Sequence, residues 1–135
     1  MSSSNPTGDY LPPPDLNNGK DRGKSCEGRV FRSILTRRNL WPHYILSIRK
    51  ATKTEDKTGV DMIVTISHHQ RHTSTIPIQI KSSKRQAQRF KSSHPNIYVI
   101  LGSRTEANIF LRFIDIVQDF MSRLADHDYE GSYQL

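Results

Sequence analysis

Apolar and polar residues switch between helical and strand periods along this chain. Cys26, Val30, Phe31, Ile34 and Leu35 recur at helical spacing and predict a first helix over about 24–39, capped by Ser25. Arg29, Arg32, Arg37 and Arg38 fall largely off that stripe, whereas Glu27 borders it, an unusual place for a carboxylate. Three runs, 44–50, 60–66 and 74–81, then read as strands, and Thr58-Gly59 marks a turn before the second. The polar stretch 67–73 suits an antiparallel hairpin between the last two. Pro77 has no N–H, so its place in the ladder must face outward or lie in a bulge. Residues 83–92 predict a second helix whose only apolar members are Ala87 and Phe90, and His94-Pro95-Asn96 breaks it. The continuous apolar run 97–101 is the pattern of a strand covered on both faces, and Gly102 ends it. A capping box, Ser103-x-x-Glu106, opens the last helix, with Phe110, Phe113, Ile114, Val117, Phe120, Met121 and Leu124 on its apolar face. The order α-β-β-β-α-β-α predicts an α/β fold, a mixed central sheet flanked by helices.

The ends lack such patterning. Residues 1–22, with Leu11-Pro12-Pro13-Pro14 and Asn17-Asn18-Gly19, predict a disordered N-terminal tail. Residues 126–135, with Asp126, Asp128 and Glu130, predict a short acidic C-terminal tail, leaving one domain over 23–125. That division suits a chain of 135 residues of which only 34% are hydrophobic.

Charge sharpens the picture. The chain has a formal net charge of +7, and residues 26–125 alone hold 17 basic against 7 acidic residues. Such a surplus repels itself unless a polyanion offsets it, and nucleic acid rewards clustered Lys and Arg through counterion release. No stretch approaches the roughly 18 apolar residues of a membrane span, so no membrane association is expected. Met1-Ser2-Ser3-Ser4-Asn5-Pro6 lacks the pattern of a secretory leader. The single cysteine, Cys26, excludes an internal disulfide and a Cys-rich zinc site, in keeping with a reducing, cytoplasmic setting.

The candidate chemistry gathers on the hairpin. Side chains alternate along a strand, so Gln79 and Lys81 share one face while Ile78 and Ile80 take the other. A hairpin centred near residues 70–71 sets Asp61 across from residues near 80. An acid, an amide and a lysine then meet, and Glu27 could reach the same place. Carboxylate and carbonyl oxygens suit a hard cation such as Mg²⁺, which polarises a phosphodiester, while a nearby lysine stabilises charge that develops in the transition state. Taken singly, Asp61 could simply finish a turn and Lys81 end a strand in solvent. The alternation of Gln and Lys with isoleucines is what sets the group apart.

Residues 55–64, Glu-Asp-Lys-Thr-Gly-Val-Asp-Met-Ile-Val, followed by Ile78-Gln79-Ile80-Lys81-Ser82-Ser83, resemble the PD-(D/E)xK nuclease superfamily. The Gly-Val-Asp and Gln-x-Lys form is similar to its Mrr-like restriction endonuclease branch, and the resemblance spans about 24–124. It implies a restriction-endonuclease-like fold and a metal-dependent DNA endonuclease, of restriction-like, homing or junction-resolving type, using Mg²⁺ or Mn²⁺. By position it assigns metal binding to Asp61, Gln79 and the Ile80 carbonyl, catalysis to Lys81, and a further acid to Glu27. Gln79 stands where most of the superfamily has an acid, which lowers the negative charge of the site.

Lys84, Arg85, Arg89 and Lys91 follow the motif and are expected to contact phosphate beside it, or to form a solvated helix face. Lys50 and Lys53 are expected to line the same groove. Ser82 and Ser83 are candidate caps, and Trp41-Pro42-His43 a packing corner. His68, His69 and His72 suit a solvated loop, a DNA contact or a metal. A chain this small has no room for a separate target-reading domain, so a homodimer, recognition of DNA structure, or service as a module of a larger system is expected. The competing function is a catalytically inactive nucleic-acid-binding module of the same fold. A double-stranded-RNA-binding domain is disfavoured by the strand at 97–101. A protein-interaction domain would leave the Gln79/Lys81 alternation unexplained.

Overall fold

In the computed structural model, which describes residues 18–68 and 72–133, a four-stranded sheet carries helices built from both ends of the chain. The elements are α1 (Asn18–Leu35), β1 (Ile45–Lys50), α2 (Lys53–Lys57), β2 (Met62–His68), β3 (His72–Lys81), α3 (Lys84–Ser93), β4 (Tyr98–Leu101) and α4 (Glu106–Tyr133). The strands lie in the order β1-β2-β3-β4; β1–β2 and β2–β3 are antiparallel and β3–β4 is parallel. The fold is therefore mixed α/β, and the short α2 is a helix that the hydrophobic pattern did not predict. None of the helices among the described residues is long and apolar enough to cross a membrane.

Strand alternation divides the sheet into two unlike faces. Met62, Val64 and Ile66 of β2, Ile76, Ile78 and Ile80 of β3 and Ile100 of β4 sink into one buried cluster. Val30 and Ile34 of α1 and Ile109, Phe113, Ile116 and Val117 of α4 close over it. At about 25 cal/mol per Å² of apolar surface removed from water, this layer is the main source of stability. The other face is mostly polar, and α3 packs against β3 and β4. Pro77 fits within β3 because β4 begins to pair only at Ile78↔Tyr98, so no β4 partner awaits the missing donor.

Several ends differ from those expected. The chain is already helical from Asn18, so residues 18–22 are not the tail expected of them; residues 1–17 lie outside the described residues. Ser25 lies inside α1 rather than capping it, and α1 ends at Leu35, where the Trp41 indole N–H donates to the Ile34 carbonyl. Thr105, not Ser103, caps α4, its hydroxyl accepting the Asn108 N–H, and Glu106 faces Arg37 at 3.4 Å instead. Ser83 caps α3 as expected, accepting the Gln86 N–H. The acidic segment from Asp126 continues α4 through Tyr133 rather than leaving it as a tail.

Candidate functional site

The site forms where β2 begins and β3 ends. Asp61 stands one residue before β2 and is fixed from three sides. Its carbonyl accepts the Ala51 N–H at 3.0 Å, its own N–H donates to the Ile78 carbonyl at 2.9 Å, and its Oδ2 accepts the Ile80 N–H at 2.8 Å. The carboxylate thus takes the place of the ladder partner that a longer β2 would have offered Ile80. Asp61 is only 7% exposed and Gln79 only 8%. Asp61, Gln79, Ile80 and Lys81 line one cleft of about 530 Å³, which Glu27 enters from α1 and Arg89 from α3.

Two glycines allow this assembly. Gly59, at φ +92°, turns the chain ahead of Asp61, and a Cβ there would lie 2.8 Å from the Phe90 ring. The turn and α3 therefore close directly on each other. Phe90 stacks on His94 with centroids 4.3 Å apart, and the Lys81 ammonium lies 5.2 Å from the Phe90 centroid, within cation–π range. At the far wall a Cβ on Gly102 would lie 2.8 Å from the Cys26 Cβ, so only glycine lets α1 approach the end of β4. Arg29 Nη1 donates to the Gly102 carbonyl at 3.1 Å and holds that contact. Glu27, half-buried, is thereby presented to the cleft.

The electrostatics are unusual for a carboxylate. Burial pushes the Asp61 carboxyl up to about 6, with the neighbouring Glu27 and Asp56 carboxylates adding to the effect, while the Ile80 N–H opposes it. An added positive charge would counter the effects that raise it. Gln79 Oε1 is buried without a hydrogen-bond partner, and its Nε2 makes only a long contact, 3.4 Å, to the Ile80 carbonyl. Buried acceptors are normally satisfied, so this oxygen marks a place for a donor or a cation. Asp61, the Gln79 amide oxygen, the Ile80 carbonyl and Glu27 form an all-oxygen set, which fits a hard divalent cation. Among the described residues no group of three His, Cys, Asp or Glu is placed to hold a metal. A cation here would therefore lean on two neutral oxygens.

The basic residues distribute differently from expectation. Lys50 and Lys53 do not line the cleft itself; they line an adjoining hollow of about 410 Å³ that shares Glu27 and Asp61 with it and also holds Asp56. Of the α3 quartet, only Arg89 faces the cleft. Lys84 and Lys91 lie on the opposite side of the helix, and Arg85 is exposed and lines neither hollow. The expected placement of Lys84 and Arg85 beside Lys81 is thus corrected: helical rotation turns them away. The Lys91 ammonium donates to the Pro95 and Ile97 carbonyls, fastening α3 to the approach of β4. His68 and His72 stack at the hairpin end remote from the cleft, and His68 Nε2 meets the Ser74 hydroxyl at 2.6 Å. His69 lies outside the described residues.

Sequence reasoning missed Asp56, Phe90 and His94 as parts of the site. Asp56 had a readable signal, since Thr52 and Glu55 form a capping box that makes 53–57 helical and turns Asp56 toward Asp61. Phe90 was noted only as an apolar residue on a polar helix. No family model matches the chain, and neither does any curated protein or solved structure.

Proposed function

We propose that this chain is a metal-dependent DNA endonuclease with a restriction-endonuclease-like arrangement of its α/β core. The observation that carries the reading is the convergence of Asp61, Gln79, Ile80 and Lys81 on one cleft, with a buried, unpartnered amide oxygen beside a carboxylate. Mg²⁺ or Mn²⁺ would be held by Asp61, Gln79 Oε1, the Ile80 carbonyl and Glu27. Such an ion supplies Lewis-acid polarisation of a phosphodiester. Lys81, steered by the Phe90 ring, offers its ammonium to the negative charge that grows on the phosphate during attack by water. Arg89 stands at the rim to meet a flanking phosphate. The basic surplus of the domain draws the polyanion in, and a homodimer would present two such clefts to a duplex.

A second reading is favoured by the neutrality of Gln79: a module that binds nucleic acid without cutting it. One experiment separates the two. Plasmid, linear and branched DNA are incubated with the protein in Mg²⁺, Mn²⁺ or EDTA. The nuclease reading expects cutting that stops in EDTA and in Asp61→Ala, and that slows about 10²–10³-fold in Lys81→Ala. Salt-sensitive binding with no cutting under any of these conditions overturns it in favour of the module.

A further inference from the structure

No residue of α3 is buried, although the helix lies between two hollows. Gln86, Arg89, Phe90 and Ser93 turn toward the Asp61 cleft. Lys84, Ala87, Gln88 and Lys91 turn the other way, toward a groove of about 620 Å³ between α3, β4 and α4. The two sets fall on opposite sides of the helix because each follows the three- and four-residue spacing of one helical face. The second groove has a basic rim against the single acid Asp115: Lys84 and Arg104 are exposed, while Lys91 and Arg112, which donate to the Pro95, Ile97 and Val99 carbonyls, add their charge. Its floor is apolar: half-buried Ala87 and Leu101 lie over the buried Val99 and Ile109, with Leu111 left 59% exposed at the edge.

We infer that α3 is a wedge between the two strands of a DNA fork, with one strand in the Asp61 cleft and the other, unpaired, in the groove between α3, β4 and α4. This rests on the nuclease reading only for the identity of the cut strand. The charge of the rim fits a phosphate backbone. The apolar floor decides between an open fork and an intact duplex. A duplex straddling α3 in its major groove would press phosphates against Leu101, Leu111 and Ala87, a poor exchange for water. Unpaired bases offer flat apolar faces to the same floor, as in other single-strand channels. An α-helix with its side chains is about 10–12 Å across, so strands on its two sides cannot pair through a minor groove only about 6 Å wide. The favoured substrate is then a branched DNA with a single-stranded arm at the branch.

The test is equilibrium binding of fluorescent DNA by the full chain in EDTA, so that cleavage plays no part. A fork with a single-stranded DNA arm is compared with a fully paired duplex of equal length. The fork is expected to bind about tenfold tighter or more, through bases sheltered on the apolar floor. Lys84→Gln with Arg104→Gln should flatten the salt dependence of fork binding by about 1.4 in log–log slope, as two single-strand phosphate contacts are lost. Leu111→Ser should reduce the fork preference while leaving duplex affinity alone. All three positions are exposed, and an unchanged melting temperature verifies the fold. Equal binding of fork and duplex overturns the wedge, as does a preference that survives all three substitutions or an arm of RNA bound more tightly than one of DNA. Fork preference without cleavage would leave the wedge standing and remove the nuclease reading; duplex cleavage without fork preference would do the reverse.

Discussion

On one face of β3, Ile76, Ile78 and Ile80 sink into the apolar layer beneath α1 and α4; on the other, Gln79 and Lys81 of the same strand line an open cleft. The apolar face gains from every contact and holds no buried charge. The cleft face keeps a carboxylate that burial pushes toward protonation and an amide oxygen with no partner. Such polar groups cost stability, so one strand serves folding on one side and carries unmet polar groups on the other. The contrast teaches where substitutions should separate stability from function.

The largest effect should come from the apolar face. Phe113, fully buried where α4 meets the sheet, should lose about 3–5 kcal/mol of stability as Phe113→Ala, measured by urea unfolding. The proposed cleavage by the fraction still folded should be preserved, because Phe113 is not among the residues that line the cleft. A milder and opposite effect is expected across the strand. Gln79→Met keeps length and removes the unsatisfied amide, so the metal-free protein should gain about 1–3 kcal/mol. The wild-type protein should melt higher in Mg²⁺ by mass action, and Gln79→Met should not. A variant that is less stable without metal would break the comparison.

The smallest effect lies outside both faces. Arg49 meets Glu55 with two hydrogen bonds of 2.8 and 2.9 Å, and with the Thr52 N–H holds the Glu55 carboxyl down at about 2. Because this pKa is depressed on folding, its contribution is complete above the ordinary carboxylate range and disappears as pH falls toward 2. The difference in unfolding midpoint between wild type and Glu55→Gln should therefore be flat at neutral pH and shrink on acidification. Added salt should shrink it further, since the pair is exposed.

The sheet and its flanking helices were readable in the sequence because burial writes its own period into the chain. Strands β2 and β3, the cap of Ser83 and the end of β4 before Gly102 follow from local pattern alone. So does the gathering of Asp61, Gln79 and Lys81, since hairpin register links them through a short loop. What failed depends on partners distant in sequence or on helix phase. Helix α1 begins before the apolar stripe does, among Gly, Asp and Lys that carry no burial signal. Asp56 is a different case: its one-turn helix is too short for periodicity, and only the Thr52/Glu55 capping box announces it. Lys84 and Lys91 were grouped with Arg89 by proximity along the chain, whereas their rotation about α3 sets them in another groove.

The clamp of Arg29 on Gly102 joins residues 73 positions apart and carries the acid of α1 into place. Until the segment bearing Gly102 has emerged during synthesis and folded back, Asp61 and Lys81 can meet without Glu27. A half-made chain would then hold the hairpin groups without that acid, and the cleft would be completed only late in synthesis, when the two ends of the domain close on each other.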